Sequence, residues 1–181
     1  MITDIDQLRA ACAAGTKFEF VFFPDSGSVA DPPGPSCLSQ WGISPFRWNG
    51  MRFLSAEQAM MHAKAELFGD REMAARILDS KTSFQAKALG AKVRGFDEAT
   101  WERERFRVVV EANLGKFGMV PALGDFLRST GQAVLVEASP FDRIWGIGMD
   151  ESDRDAKNPD RWPGLNLLGF ALMEVRRRLA P

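Results

Sequence analysis

The chain has 181 residues, 45% of them hydrophobic, which is enough for one domain that buries roughly two thirds of its unfolded surface. Its 23 basic and 24 acidic residues give a formal net charge of -1, which excludes a global basic field for non-specific binding to nucleic acids. A single histidine and two cysteines outside metal-ligand spacing argue against a metal site, and the lack of a leader or long apolar run predicts a soluble cytoplasmic protein with no membrane partner.

The first third of the chain predicts a helix, a strand, a long loop and a hairpin. Apolar residues at helical spacing predict a helix at about 5–14, and the aromatic run FEFVFF predicts a strand after it. Residues 24–36 are dense in Pro, Gly and Ser, which predicts an exposed loop inserted into a single domain of residues 1–181. The Asn49-Gly50 turn between aromatic residues predicts a β-hairpin.

Helices dominate the rest of the chain. Apolar spacing and N-cap residues predict helices at about 55–68, 70–78, 83–89, 98–113, 121–129 and 167–179. The run AVLVEA at 133–138 is too short and too branched for a helix and predicts a strand. The fold class is therefore α+β, a mainly helical single domain with a small antiparallel sheet.

The segment SAEQAMMHAKAELF carries two charges on an apolar helical stripe. Ser55 and Gln58 have capping-box spacing, so Glu57 falls in the first turn, where a carboxylate suits the helix dipole. Lys64 lies two turns further along this stripe and, because helical side chains lean toward the N-terminus, should reach back toward Glu57. Either the pair flanks a space of small-molecule size, or Glu57 serves only the dipole and Lys64 extends to solvent.

A second candidate region is VEASPFDRIWGIG. Glu137 ends the predicted strand, Asp142 follows in a loop, and carboxylates in such positions often build sites. Trp145 offers a stacking face, and Gly146 lets the backbone approach a ligand closely. An ordinary turn around a half-buried tryptophan is the alternative.

Three further residues have both a structural and a ligand-binding interpretation. Asn166 is placed to cap the last helix, whose N-terminus could also attract phosphate. Lys116, near the end of a predicted helix, suits either the helix dipole or a phosphate. Trp41 is either a stacking face or a core residue.

A series of sequence blocks follows in a fixed order from about residue 20 to residue 179. The blocks are LSQW, a hairpin, SAEQAMMHAKAELFGD, KALG, LVEAS, WGIG and WPGLNLLGFALMEVR. In this order they resemble the YbiA-like, or NADAR, family. The loop at 24–36 looks longer than the family norm, and Gly42 stands where members often carry an aromatic residue, so one contact to substrate is absent on this reading.

The resemblance implies an N-glycosidase that hydrolyses the bond between C1 of ribose and an exocyclic amine. One branch of the family acts on phosphorylated ribosylamino-pyrimidine intermediates of riboflavin biosynthesis. Another removes ADP-ribose from guanine, so nucleic acid would be met only as a substrate. No cofactor is implied, and the oligomeric state stays open. The competing class is a non-catalytic module that binds ADP-ribose or a related nucleotide.

Two mechanisms fit the residues that the resemblance assigns. In the favoured one, Lys64 attacks C1 of the opened sugar to form a Schiff base, while Glu57 shuttles protons. In the other, one carboxylate activates water and a second acid protonates the departing amine. The resemblance implies catalytic roles for Glu57, Lys64 and Asp142, and substrate-binding roles for Trp41, Lys116, Glu137, Trp145, Gly146 and Asn166.

Overall fold

A computed structural model of the protein describes residues 2–25, 27 and 29–180. Seven α-helices and four β-strands form the regular structure of this part of the chain. In chain order they are α1 (Ile5–Ala13), β1 (Phe20–Pro24), β2 (Phe46–Trp48), β3 (Met51–Phe53), α2 (Ala56–Leu67), α3 (Arg71–Leu78), α4 (Ser83–Gly90), α5 (Glu98–Met119), α6 (Pro121–Ser129), β4 (Val134–Ala138) and α7 (Leu167–Arg178), with short 3-10 turns at Pro35–Leu38 and Pro159–Arg161.

The predicted helices are all present, and one of them is longer than predicted. Ser55 caps α2, since its side chain accepts a hydrogen bond from the backbone N–H of Gln58. Helix α5 was predicted to end near residue 113, but it continues through Gly115 to Met119. A Cβ on Gly115 would lie 3.2 Å from the carbonyl oxygen of Arg47, so this glycine instead lets the helix approach the hairpin closely. None of the described helices is long and apolar enough to cross a membrane.

The four strands form two separate pairs. Strands β2 and β3 are the antiparallel hairpin predicted around Asn49-Gly50. Strands β1 and β4 pair in parallel, with Phe20 opposite Val134 and Pro24 opposite Ala138. The mainly helical α+β class with an antiparallel pair is confirmed. The parallel pair was not anticipated, because its strands are joined by a long crossover of helices rather than by a turn.

The loop predicted at 24–36 is irregular and mostly exposed until the 3-10 turn, and the chain enters the core at Cys37. Ser26 and Ser28 of this loop lie outside the described residues, as do Met1 and Pro181 at the ends of the predicted domain.

The buried apolar side chains of the described residues form three clusters, and two of these hold the β1–β4 pair in place. The larger cluster joins α2 through α7, and the smaller one packs α1 and Trp162 against the β1–β4 pair. Because β1 and β4 are parallel, their carboxyl ends meet at one edge. There Ser139, just after β4, donates a hydrogen bond of 2.7 Å to Asp25, just after β1.

Candidate active site

The first turn of α2 buries the carboxyl group of Glu57. Its backbone N–H donates to the carbonyl oxygen of Gln40 at 3.0 Å, which joins the start of the helix to the segment before Trp41. Ser83, at the start of α4, lies 2.8 Å from both the hydroxyl of Ser55 and the carbonyl oxygen of Trp41. Glu57 is only 2% exposed, and its Oε1 has no hydrogen-bond partner. The fold therefore buries the carboxyl group of Glu57 and leaves its Oε1 without a hydrogen bond.

The cation that faces Glu57 is Lys87 of α4. Its Nζ lies 4.0 Å from Oε1 of Glu57 and 5.1 Å from the centre of the Trp41 ring. About half of the Lys87 side chain is exposed. Lys87 thus contacts the buried carboxyl group of Glu57, the indole ring of Trp41 and solvent.

Lys64 does not reach back toward Glu57 as the helical spacing predicts. Its Nζ lies 4.1 Å from the ring centre of Phe96 and 5.7 Å from that of Trp101. Burial lowers the pKa of Lys64, and the nearby carboxylate of Glu98 opposes this effect. The ammonium is stabilised by the two aromatic faces, so α2 directs its two charges to different surroundings.

Glu137, at the end of β4, is the second buried acid. It is 4% exposed, and its Oε2 has no hydrogen-bond partner. Its backbone N–H donates to Oδ1 of Asn166 at 3.0 Å, and its carbonyl accepts from the N–H of Ile147 at 3.0 Å. The backbone on both sides of this carboxyl is therefore held in place.

Asn166 holds the backbone of Glu137 in place. It is fully buried, and its side chain bridges β4 by accepting from Glu137 and donating to the carbonyl of Leu135 at 2.9 Å. Its φ of 53° is in the left-handed region, where Asn is one of the few tolerated residues. It is the N-cap of α7, as predicted, but its side chain makes no capping bond.

The loop after β4 folds back on the strand. Oδ1 of Asp142 accepts hydrogen bonds from the backbone N–H groups of Ile144 and Trp145 at 2.8 and 2.7 Å. A Cβ on Gly146 would lie 2.9 Å from the carbonyl oxygen of Glu137, so this glycine allows close contact between the loop and the strand. Trp145 is half-buried against the larger core cluster.

Burial shifts both acids toward the protonated form. Burial raises the pKa of Glu57 to about 7, with Lys87 opposing the shift and Asp142 adding to it. The pKa of Glu137 rises to about 8, again mainly through burial, with contributions from Asp142, Asp25 and Glu57. Two carboxyl groups that exchange protons near neutral pH are suited to general acid and base chemistry.

Lys116 lies in the core and not at an exposed helix end. It is fully buried, and its Nζ donates to the carbonyl oxygens of Cys37 and Ser39 at 2.7 and 2.8 Å. Burial lowers the pKa of Lys116 to about 8. Since α5 extends past this residue, the side chain points into the core and anchors the segment that leads to Trp41.

Sequence reasoning missed Lys87 and Asp25. Lys87 is part of the block KALG, and nothing in the local sequence indicates that α4 packs against α2. Asp25 lies at the start of the Pro-rich loop. It is close enough to raise the pKa of Glu137 only because β1 pairs in parallel with β4. The usable signal was that two predicted strands both end beside an acidic residue.

Two cavities of the described part of the chain lie away from these acids. Among residues 2–25, 27 and 29–180, no group of three or more His, Cys, Asp or Glu side chains is arranged to hold a metal ion. A cavity of about 390 Å³ lies on another side of α2 and is lined by His62 and Trp48. A larger one, of about 670 Å³, lies at the opposite end of the β1–β4 pair.

Comparisons with known proteins agree with the order of the sequence blocks. A profile described as the NADAR domain matches residues 29–180. An N-glycosidase of Acanthamoeba polyphaga mimivirus is 39% identical over 163 residues, which cover 87% of this chain and 95% of the viral protein. The chloroplastic riboflavin biosynthesis protein PYRR of Zea mays is 34% identical over 113 residues, which cover 60% of this chain and 16% of the maize protein.

The fold also has a solved counterpart. The NMR structure of the E. coli protein YbiA matches with a TM-score of 0.67 and 22% identity, over 91% of this chain and 86% of that chain. With the profile match over most of the chain and the similarity to the viral protein, the chain belongs to the NADAR family.

Proposed function

We propose that this protein hydrolyses the bond between C1 of ribose and an exocyclic amine, with Glu57 and Glu137 carrying the protons. The chain is a hydrolase of N-glycosyl compounds, since the viral relative that it matches over almost the full length is named an N-glycosidase. The observation that carries the proposed mechanism is the pair of buried carboxyl groups, each with one oxygen that lacks a hydrogen-bond partner.

The position of Lys87 suggests a division of roles between the two acids. Glu57 faces the ammonium of Lys87, which stabilises its ionised form and makes it the base. Among the described residues, Glu137 has no cation within ion-pair distance, and burial with the nearby Asp142 and Asp25 raises its pKa, so it keeps its proton and is the acid. Glu57 takes a proton from water as the new C1–O bond forms. Glu137 gives its proton to the amine nitrogen, which receives the electron pair of the breaking C1–N bond.

This mechanism reverses the preference that the sequence suggested. A Schiff base on Lys64 would need its amine beside Glu57, but that amine lies over Phe96 and Trp101. If a lysine forms a covalent adduct, the contacts favour Lys87, which lies beside both Glu57 and Trp41. The direct attack of water needs only the two buried acids and no contact between Lys64 and Glu57.

For the substrate, we propose a small phosphorylated ribosylamino-pyrimidine in preference to ADP-ribosylated guanine. The maize relative is named a riboflavin biosynthesis protein, although this chain matches only 16% of it. A net charge of -1 provides no global basic field that would favour long nucleic acid. The Trp41 ring beside Lys87 offers a stacking face for a flat base and a cation for a phosphate. Two buried carboxyl groups that exchange protons near neutral pH favour an enzyme over a module that only binds nucleotides.

A direct assay tests the function and the substrate together. Purified protein is offered a phosphorylated ribosylamino-pyrimidine or an oligonucleotide with ADP-ribosylated guanine, and the release of ribose 5-phosphate or ADP-ribose is measured. We expect release from the first substrate, and its loss in Glu57→Gln. Glu66→Gln, an exposed acid on the same helix, is the matched control and should keep full activity. Cleavage of neither substrate, with binding intact, would overturn the proposal in favour of a binding module.

A further inference from the structure

A cavity lies at the end of the β1–β4 pair that is remote from Glu137. It has a volume of about 670 Å³ and is formed where the chain enters β1 and β4, under the last turns of α7. This volume falls within the range of roughly 300 to 1,000 Å³ that is typical of small-molecule sites. Four residue steps along β4 separate the two ends of the strand pair, a distance of roughly 13 Å. The cavity is therefore separate from the candidate active site.

Arg176 gives this cavity a cation with spare donors. Its guanidinium donates to the hydroxyl of Thr130 at 2.7 Å and to the carbonyl of Ala133 at 2.9 Å, both neutral groups. Among the described residues, no carboxylate lies within ion-pair distance of it, whereas the next two residues, Arg177 and Arg178, both pair with Glu174. A guanidinium has five N–H donors, so those not used by these two bonds remain for a ligand. Its half-buried position also lowers the pKa of Arg176, as expected for a cation that lacks a counter-charge.

The rest of the lining combines positive charge with apolar surface. Lys17 and Arg177 add two cations, and Glu19 is the one acidic residue among the described residues of the lining. Phe18 and Met173 contribute apolar walls. We propose that this cavity is a second binding site, which takes an amphipathic anion: a phosphate or similar anionic group carried on an aromatic or aliphatic body. Arg176 and Lys17 bind the anionic group, and the apolar walls hold the body.

Calorimetric titration with a matched pair of probes tests the proposal. The probes are 1-naphthyl phosphate and neutral 1-naphthol, which share the apolar body and differ in the anion. We expect the wild-type protein to bind the phosphate at least tenfold more tightly than the alcohol. Arg176→Met should remove most of this preference, and Glu19→Gln should strengthen it, because a repelling carboxylate is lost.

Controls separate binding at this cavity from effects on folding and from binding elsewhere. Lys17 is exposed, so Lys17→Gln should weaken phosphate binding severalfold without altering the melting temperature, even if Arg176→Met unfolds. Lys92→Gln, an exposed lysine outside the lining, should change nothing. No preference for the phosphate in the wild type, or the same preference in Lys17→Gln and in a folded Arg176→Met, would overturn the proposal.

Discussion

Lys116 and the two acids Glu57 and Glu137 are buried to nearly the same degree, but the structure surrounds them in opposite ways. Lys116 is completely enclosed and donates to two backbone carbonyls, at 2.7 and 2.8 Å. Each of the acids is at most 4% exposed and keeps one carboxyl oxygen without a hydrogen-bond partner. Hydrogen bonds stabilise a buried ionisable group, whereas a buried carboxyl oxygen without such a bond lowers stability. This difference separates the structural charge from the proposed catalytic ones.

The largest effect should come from removing the proposed acid. Glu137→Gln keeps the shape of the side chain but cannot donate a carboxylic proton, so kcat/KM should fall by about 10²- to 10⁴-fold. Its free energy of unfolding at pH 7, measured with urea, should stay the same or rise, because an unsatisfied buried acid is replaced by a neutral amide. Unchanged kcat/KM together with a large loss of stability would assign Glu137 a structural role and remove the contrast with Lys116.

Lys116→Met should give the opposite result, with a loss of stability as the primary effect. The substitution leaves the carbonyl oxygens of Cys37 and Ser39 buried without donors, which should lower the free energy of unfolding by about 2 to 4 kcal/mol. Lys92→Met, at an exposed position, is the control and should stay within about 0.5 kcal/mol of the wild type. Wild-type stability in Lys116→Met would show that the two bonds contribute little.

The pH dependence of activity should reveal the two acids directly. Activity requires ionised Glu57 and protonated Glu137, so kcat/KM should rise with pH near 7 and fall again near 8, a narrow bell. Glu137→Gln should lose the falling limb in its residual activity. A profile that is flat from pH 6 to 9 would contradict the assignment of both roles.

Stability should respond to pH in a direction set by the same two groups. The unfolded chain releases these protons near pH 4.5, whereas the folded protein keeps them until about pH 7 and 8. The folded state therefore binds more protons in this window, so their contribution to stability is complete below it and is lost as pH rises through it. A double variant, Glu57→Gln with Glu137→Gln, should lack this decline in urea unfolding. The same decline in the double variant would mean that other groups cause it.

Much of the fold could be predicted from the sequence, because the periodicity of apolar residues and the polar N-caps are local signals. Ser55 and the Asn49-Gly50 turn are in the predicted positions. The partners of the site residues could not be predicted, because they depend on which distant segments meet. Lys87 reaches Glu57 only because α4 packs on α2. Lys116 lies in the core because α5 continues through Gly115 without a break.

The smallest effect should come from Lys64, the residue that the sequence placed beside Glu57. Lys64→Met keeps much of the packing against Phe96 and Trp101 but loses the cation–π contact, so stability should fall by about 0.5 to 1 kcal/mol with activity nearly unchanged. Lys87→Met is the matched comparison. Because Lys87 lowers the pKa of Glu57, its removal should move the rising limb of the pH profile upward and reduce activity at pH 7.

Borohydride added during turnover distinguishes the two lysines by chemistry. Direct attack of water forms no imine, so the protein should show no increase in mass by mass spectrometry. A sugar adduct on Lys87 would turn the proposed water attack into a covalent route at the same site. An adduct on Lys64, together with inactivity of Lys64→Met, would mean that the Lys64 amine leaves Phe96 and Trp101 to reach the substrate. Lys64, and not Lys87, would then be the catalytic lysine.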